Sequence, residues 1–465
     1  MCQDKVFARP GNIRATRQVA RLTEYYVMEM PMKPYHYPEP LQDLERAINL
    51  WAQLKAESGA PGLAEKMAEI RAVLEQKLSE LRALPDDPAL RAAEPDDLDG
   101  IRALRPPGAR RYWSSFPEPT YRDRLEGAWL GRCAGNVLGS IVELWDIDKM
   151  ERWAAYLGDA FPPVDYWSAA ERPNELKYET SLREAFTPSK MDGVPTDDDL
   201  IYTQLGMLIL EDYGIDFSVD DVGAAWVKYL PVSPASPVLG NLQAGVPAMQ
   251  AAAVDNPTMF WIVGDIRSDA WGYAAPGYPE KAAEFAWRDA TVSSRRNGIY
   301  GAMYFSAVIA AAFALGDPMA ALEAGLSEIP AGCVLAREVR WALDAAGGIK
   351  SYRAARAAAD ERYAGMHPVH TINNVALTIW GLSIGGDDFS KVIGETVAMG
   401  MDNDCTAATA GSIFGAAYGK DAIPKHWYKN FNNKAHSFII GVESFAIDDM
   451  IDRFSALAEK VLARA

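Results

Sequence analysis

Residues 297–316 read NGIYGAMYFSAVIAAAFALG, twenty consecutive positions without a charged side chain. A helix of this length, at about 1.5 Å of rise per residue, could cross a bilayer. The stretch is nevertheless rich in alanine and glycine, carries Asn297 and Ser306, and has no partner span elsewhere in the sequence. We therefore predict a buried helix inside a large helical core, and no membrane association.

The sequence on both sides of this stretch also favours helices. Segments rich in alanine, leucine and glycine alternate with loops rich in aspartate, proline and glycine, and strand-like alternation is scarce. Helices are predicted over 120–139, 197–212, 219–230, 280–291, 298–315, 331–346, 391–399 and 404–418. Several of them are apolar on most faces, which predicts an all-α fold, a compact multi-helix domain with central helices.

The first part of the chain differs, because its helical segments are amphipathic. Apolar residues recur there at helical spacing in two stretches, Leu41, Leu44, Ile48, Trp51 and Leu54, then Leu63, Met67, Ile70, Leu74, Leu78 and Leu81. Gly59, Pro61 and Gly62 separate the two stretches, so a helical hairpin is predicted. Its apolar stripe must be covered either by the main domain or by a second copy of the chain in a homodimer.

Residues 85–120 are rich in proline, which is typical of an irregular connector. Thr120 is a suitable N-cap for the helix that follows, so we place a domain boundary there. The predicted organisation is an N-terminal helical extension with its connector, residues 1–119, followed by the main domain, residues 120–465.

Composition argues against several classes of partner. With 46 Lys+Arg against 63 Asp+Glu, the formal net charge is −17 and the pI is near 4.9, so nucleic acids and anionic membrane surfaces are repelled. The four cysteines form no CxxC pair, which disfavours a disulfide framework and a zinc knuckle. Charged residues near the start of the sequence argue against a secretory signal, and we expect a cytoplasmic location.

Two acidic clusters stand where helices are predicted to begin. Residues 196–199 read Thr-Asp-Asp-Asp, and residues 402–404 read Asp-Asn-Asp. One interpretation is helix capping, because a threonine or aspartate oxygen accepts free backbone N–H groups in the first turn. Carboxylates there also favour the positive end of the helix dipole, by about 0.3–1 kcal/mol.

The density of carboxylates favours a second interpretation, a cation site. A cap needs one oxygen, whereas Asp197, Asp198, Asp402 and Asp404 crowd two short stretches. Mg²⁺ takes octahedral oxygen ligands at about 2.0–2.1 Å, and these carboxylates with the Thr196 hydroxyl could hold two such ions. Without a cation, clustered carboxylates repel one another or take up protons. Both interpretations stay open unless the two clusters meet in space.

Three stretches resemble the ADP-ribosylglycohydrolase family, which includes the dinitrogenase reductase-activating glycohydrolases. The first comprises RLEGAWLG at 124–131 and GNVLGSIVE at 135–143; the others are PTDDD at 195–199 and MDNDCTAATAG at 401–411. Their order and spacing match the family over residues 121–420. The N-terminal extension lies outside the resemblance.

The resemblance implies an all-α fold with two Mg²⁺ ions in a central cleft, and hydrolysis at the anomeric carbon of an ADP-ribosyl group. The metal ligands that it implies by position are Thr196, Asp197, Asp198, Asp402 and Asp404. Glu143 falls where the first helix of the family ends in an acid that approaches the metals. Glu143, Asp198 and Asp404 are therefore our candidate catalytic residues.

The sequence departs from the family pattern at three places. Cys405 stands at the position of a metal-binding threonine, and a thiol is a poor ligand for Mg²⁺, so Mn²⁺ could replace one ion or the Thr406 hydroxyl could serve instead. We keep Cys405 among the candidate metal ligands. Asn136 replaces a usual aspartate, and Ser293-Ser294 replaces a Thr-His or Ser-His pair that lines the substrate cleft. These lining changes concern the natural substrate more than the reaction type.

Aromatic residues suggest a binding site for the base of the substrate. Trp271, Tyr273 and Tyr300 could stack on adenine or another flat group, and packing in the core is the alternative. Asn297 and Gly298 lie in a glycine-containing stretch whose backbone N–H groups could approach a diphosphate.

The predicted function is metal-assisted hydrolysis of an N- or O-glycosidic bond to ribose in an ADP-ribosylated protein or small molecule. The cations would grip the ribose hydroxyls and activate water, and Glu143 would act as a movable ligand or as general acid/base. One alternative is a hydrolase of another ribosylated metabolite or nucleoside on the same fold. The other is a non-catalytic protein that keeps the fold for ADP-ribose binding or for structure.

Overall fold

The computed structural model of the chain describes residues 40–170, 183–232 and 237–464. Contacts divide the chain into two compact units, one that ends at Ala92 and one that begins at Ala93. The charged residues that argue against a secretory signal lie outside the described residues.

The first unit is the predicted helical hairpin. Its helices are α1 (Gln42–Glu57), α2 (Leu63–Arg82) and the short α3 (Pro88–Ala93). Gly59 and Gly62 turn the chain between α1 and α2 with left-handed φ angles of 65° and 74°. The apolar stripe is exposed at many positions, with Trp51 at 60% and Leu74 at 50%.

The second unit confirms the all-α class. Its helices among the described residues are α4 (Leu98–Leu104), α5 (Glu118–Ser140), α6 (Ile147–Leu157), α7 (Asp198–Tyr213), α8 (Val219–Tyr229), α9 (Val238–Gln243), α10 (Ala248–Ala251), α11 (Ser268–Ala274), α12 (Pro279–Ala290), α13 (Asn297–Leu315), α14 (Pro318–Gly325), α15 (Val334–Ala346), α16 (Tyr352–Arg362), α17 (Thr371–Gly385), α18 (Phe389–Ala398), α19 (Asn403–Tyr418) and α20 (Ile447–Arg464). Short 3₁₀ turns occupy Glu184–Phe186, Ile262–Arg267, Leu326–Glu328, Lys420–Ala422 and Lys425–Trp427. Two antiparallel strands, β1 (Lys434–His436) and β2 (Ser444–Ala446), pair with Ala435 opposite Phe445.

Helix α13 is the core helix that its sequence predicts. It is long and apolar enough to cross a membrane, but 89% of its most apolar 18-residue window is buried inside the protein. It packs against α11, α12, α14 and α19. The helix is apolar on all its faces because other helices pack around it.

The closest helix pair is α5 with α19, which run antiparallel. Glycines spaced four residues apart on α5 face the backbone of α19. A Cβ added at Gly131 would lie 2.3 Å from Gly411 O, and one added at Gly135 would lie 2.1 Å from Ala407 O. A Cβ at Gly139 would lie 2.4 Å from the Asp404 Cα. Larger side chains at these positions would force the two helices apart, so glycine sets how closely they approach.

The start of α5 differs from the prediction in one detail. The helix begins at Glu118, with Pro119 in its first turn, so Thr120 lies inside the helix and the prediction of Thr120 as N-cap is wrong. Proline is tolerated in a first turn because its missing N–H would have no helical partner there. Residues from Ala93 onward pack with the main unit, and Trp113 N donates to Gly277 O at 3.3 Å.

Candidate metal centre and active site

The crossing of α5 and α19 brings the end of one helix against the start of the other. Glu143 follows the last turn of α5, and Asp402 immediately precedes α19. Their neighbours Leu144 and Met401 both adopt a left-handed φ of 61°, and Leu144 N donates to Met401 O at 3.1 Å. Such backbone conformations are costly for residues other than glycine and concentrate at functional sites.

The start of α7 forms the first acidic corner. Asp197 is the N-cap of this helix, and its Oδ1 accepts a hydrogen bond from Asp199 N at 3.3 Å. Asn136 on α5 donates through its side-chain amide to Asp197 Oδ1 at 2.9 Å and to Asp199 Oδ2 at 3.1 Å. Ser140 Oγ lies 3.3 Å from Asp197 Oδ2. The first corner is thus capped and also tied to α5.

The start of α19 forms the second acidic corner. Asp402 takes the N-cap position, yet its carboxylate makes no cap hydrogen bond within the described residues. Asp404 Oδ1 accepts from Cys405 N at 3.0 Å. The hydroxyl of Thr406 donates to Asp402 O at 3.1 Å. Capping therefore does not account for the carboxylate of Asp402.

The two corners meet, although 206 positions separate Asp199 from Cys405 in the sequence. Ligand atoms of Glu143, Asp402 and Asp404 lie within 4.8 Å of one another. Those of Asp199, Asp404 and Cys405 form a second such group, so Asp404 belongs to both. This convergence favours a cation site, because capping alone gives no reason for the carboxylates to gather.

Arg183 places a cation among these carboxylates. Its guanidinium lies 3.0 Å from Glu143 Oε2, 3.2 Å from Asp197 Oδ2 and 3.7 Å from Asp404 Oδ2. It also lies over the ring of Phe186, with 5.5 Å between the guanidinium carbon and the ring centroid. Arg183 belongs to none of the sequence motifs, so no local signal predicts its place in the site.

Burial and the repulsion between neighbouring carboxylates raise the pKa values of these acids. Burial, aided by the charge of Asp197, raises the pKa of Asp198 to about 7. Burial and then the charge of Glu143 raise the pKa of Asp404 well above its usual value, and burial also raises that of Glu143 despite Arg183. Buried carboxylates of this kind are stabilised by a cation that replaces their protons. The oxygen-rich donor set therefore fits hard divalent cations.

The sequence profile of the ADP-ribosylglycohydrolase family matches residues 117–464. The chain belongs to the ADP-ribosylglycohydrolase family. No curated protein matches the sequence. A solved structure described as an ADP-ribosylglycohydrolase-related protein complex is 19% identical, with a TM-score of 0.49, and the alignment covers 73% of this chain and 98% of that one.

The family match begins close to the boundary predicted near Thr120, whereas packing places the start of the main unit at Ala93. Residues 93–116 therefore precede the family-matched segment and still fold against it. Two buried acids fix this contact: Glu94 Oε2 accepts from Arg296 Nε at 2.7 Å, and Glu328 Oε1 pairs with Arg110 at 2.8 Å.

The predicted acidic residues of this ADP-ribosylglycohydrolase chain lie at or beside the two corners. Asp197, Asp402 and Asp404 are buried, Asp198 is partly buried and Thr196 is exposed. Two residues could stand in place of the family's metal-binding threonine. Cys405 faces the carboxylates, whereas the Thr406 hydroxyl bonds the helix backbone. Asp199 lies within the first acidic motif but is not among the predicted ligands.

The predicted substrate residues have structural roles instead. Trp271 and Tyr273 are 1% and 0% exposed, and Trp271 stacks on Phe217 with 5.1 Å between ring centroids. The buried Tyr300 donates its hydroxyl to Pro95 O at 2.6 Å. All three rings are buried in the core, which agrees with the packing alternative rather than with stacking on a base.

Asn297 and Gly298 likewise support the fold. Asn297 Oδ1 accepts from Leu335 N at 2.9 Å, at the start of α15. A Cβ added at Gly298 would lie 2.3 Å from Met259 O, so this glycine serves close packing. Ser293 and Ser294 are also buried, and Ser293 Oγ accepts from Arg267 at 2.9 Å. The positions expected to contact substrate are enclosed in this structure.

Proposed function

We propose that this protein is a metal-dependent hydrolase that cleaves the glycosidic bond to ribose in an ADP-ribosylated protein or small molecule. The observation that carries the proposal is the convergence of Glu143, Asp402, Asp404 and Asp199 from three separated chain segments. Membership of the ADP-ribosylglycohydrolase family supports the reaction class.

The residues that would hold the cations belong to the two corners. Asp402 and Asp404 lie in the converging groups with Glu143, Asp199 and Cys405, and the predicted ligands Thr196, Asp197 and Asp198 stand next to them in the first corner. Divalent cations, Mg²⁺ or Mn²⁺, would bind the ribose hydroxyls and lower the pKa of a bound water. Asn136 and Ser140 hold the carboxylate of Asp197 in a fixed orientation through their hydrogen bonds. Pre-orientation of this kind reduces the reorganisation needed when substrate binds.

Glu143 is suited to proton transfer, because its side chain is about one third exposed, at 33%, and burial raises its pKa. In the proposed reaction, water adds to the anomeric carbon as the bond to the leaving nitrogen or oxygen breaks. Glu143 would take the proton from water and return a proton to the leaving group, so that proton number is conserved. For the Glu143 side chain to move, its ion pair with Arg183 would have to break.

Product analysis tests this proposal. The full chain is incubated with Mg²⁺ or Mn²⁺ and, in parallel, with an ADP-ribosylated protein, free ADP-ribosyl compounds and nucleosides. Release of ADP-ribose that is abolished by a chelator and restored by Mn²⁺ is the expected result. Undiminished turnover after complete metal removal would contradict the proposal.

The other candidate functions are outcomes of the same experiment. Cleavage of nucleosides alone would identify a hydrolase of another ribosylated metabolite. Calorimetric binding of ADP-ribose without any turnover would identify a binding protein.

We also propose that the exposed stripe of the N-terminal hairpin forms a homodimer contact, with Trp51 and Leu74 among its apolar residues. Its apolar residues recur at the spacing used in helix–helix contacts. Light scattering should then give twice the monomer mass, and charged substitutions at Trp51 and Leu74 should reduce it to the monomer value. A monomeric wild-type protein at high concentration would refute this contact.

A further inference from the structure

One side chain at the converging corners offers sulphur rather than oxygen. The Cys405 thiol donates to Asp199 Oδ1, with 3.2 Å between Sγ and oxygen. The ligand atoms of Asp199, Asp404 and Cys405 all lie within 4.8 Å of one another. Asp199 and Asp404 are 1% and 4% exposed. A cation among these atoms would have two carboxylates and one thiolate as protein ligands.

Hydrogen bonds turn Asp199 toward the thiol. Asn136 donates to Asp199 Oδ2 at 3.1 Å, so Oδ1 is the oxygen that faces Cys405. The same amide donates to Asp197 Oδ1 at 2.9 Å. A carboxylate at position 136 could make neither bond and would repel both aspartates. Asn136 thus keeps Asp199 oriented for a ligand beside Cys405.

The neighbouring group of ligand atoms differs in chemistry. Glu143, Asp402 and Asp404 contribute oxygen alone, within 4.8 Å of one another. Mg²⁺ prefers such oxygen ligands, whereas thiolate ligands favour softer divalent cations such as Zn²⁺. Asp404 belongs to both groups and would connect two positions of unequal preference.

We propose that the two cation positions of this centre are chemically different. The inference rests on the proposed function: Asp402 and Asp404, with Glu143 as a movable ligand, form an all-oxygen position for Mg²⁺, and Asp199, Asp404 and Cys405 form a mixed position that selects a thiophilic divalent cation. As that cation binds, the thiol proton passes to solvent and the sulphur lone pair forms the bond to the metal. The mixed position makes this centre a binding site for Zn²⁺ or Co²⁺ as well as Mg²⁺.

Cobalt substitution tests the sulphur ligand directly, because a thiolate bound to Co²⁺ gives a near-ultraviolet charge-transfer band that carboxylates do not give. The full-length protein is titrated with Co²⁺ in a Cys2→Ser background, which removes a cysteine that lies outside the described residues. We expect the band to rise to one thiolate-bound Co²⁺ per chain. Cys405→Ser should abolish it while Co²⁺ still binds at the oxygen ligands.

Two further measurements keep the test independent of one variant. In Cys405→Thr, the ratio of the Zn²⁺ to the Mg²⁺ dissociation constant should shift toward Mg²⁺ by at least about tenfold. In the wild-type chain, Zn²⁺ should slow alkylation of Cys405 much more than Mg²⁺ does. Cys333→Ser is the matched control, because the Cys333 Sγ accepts from Ala336 N at 3.3 Å as a helix cap that serine can replace.

The outcomes separate this inference from the proposed function. Co²⁺ binding without the band, or a band that persists in Cys405→Ser, overturns the mixed position even if Asp404 remains essential for turnover. Full turnover by Asp404→Ala would instead contradict the proposed function. A band that is lost in Cys405→Ser and kept in Cys333→Ser supports the inference.

Discussion

The starts of α7 and α19 carry similar acidic motifs but use their carboxylates differently. Asp197 caps its helix and is held by Asn136 and Ser140, so it is bonded on several sides. Asp402 stands at the same helical position and makes no cap hydrogen bond among the described residues. At α7 a carboxylate caps the helix beside the proposed cation site, whereas at α19 the carboxylates converge on that site without serving as caps.

The largest expected effect tests the α19 corner. Asp404→Ala removes the carboxylate shared by both groups of ligand atoms, so turnover should fall by at least about 100-fold in a steady-state assay. Metal-free stability should stay unchanged or rise, because a buried carboxylate with a raised pKa is removed. Asp344→Ala, at an exposed position of α15, is the matched control. Unaltered Mn²⁺ binding by Asp404→Ala would show that the Asp404 carboxylate is not a metal ligand.

The α7 corner should give the site its pH dependence. Asp198 has a pKa of about 7 in the metal-free protein, so it is largely protonated below pH 7 and must lose its proton to bind a cation. Mn²⁺ affinity should therefore fall by about tenfold from pH 8 to pH 6, measured by calorimetry. Asp198→Asn should flatten this profile.

The same shift predicts an opposite trend for stability. Between the unfolded pKa of about 4 and the folded pKa of about 7, the folded state binds more protons. Metal-free protein should thus become less stable as pH rises through this range, and saturating Mn²⁺ should remove the trend. Constant metal-free stability across the range, in denaturant melts, would argue against the raised pKa.

Arg183 contacts a carboxylate of each corner, so its removal should affect both. Arg183→Gln takes away a guanidinium at 3.2 Å from Asp197 and 3.7 Å from Asp404, which competes with any divalent cation for the same oxygens. We expect Mn²⁺ to bind several-fold more tightly, as seen by electron paramagnetic resonance titration. Arg183→Lys retains the charge and should stay close to wild type. Weaker Mn²⁺ binding by the Gln variant would mean that Arg183 helps to form the site.

The smallest effect separates capping from convergence. Asp197→Ala should lower the free energy of unfolding by about 1 kcal/mol, because it removes the cap of α7. Asp402→Ala should not destabilise the metal-free protein, because its carboxylate makes no cap bond within the described chain. Equal losses in the two variants, measured by urea unfolding, would contradict the difference between the corners.

Much of the local structure was predictable because helix signals act over a few residues. The apolar run of α13, the breaks at Gly59 and Gly62 and the acidic start of α7 all gave correct helix positions. Thr120 failed as a cap because the favourable first-turn position of Pro119 moves the helix start to Glu118. Boundaries depend on such competing signals.

The site was predictable only in part. Its acids stand in motifs that resemble the family, but Arg183 stands in none, and its ion pairs depend on how distant segments pack. Trp271 and Tyr273 were predicted to bind substrate because aromatic rings can stack on a base. The sequence does not say which way a ring faces, and both are buried in the core.

The amino-acid sequence specifies the helical segments, the acidic helix starts and the family, since each depends on neighbouring residues or on the order of motifs along the chain. Only the packing of distant segments shows that the two corners meet and that Cys405, rather than Thr406, faces Asp199. The physical reason is the close crossing of α5 and α19. Glycines let the two backbones touch, and that contact joins chain segments that no local signal connects.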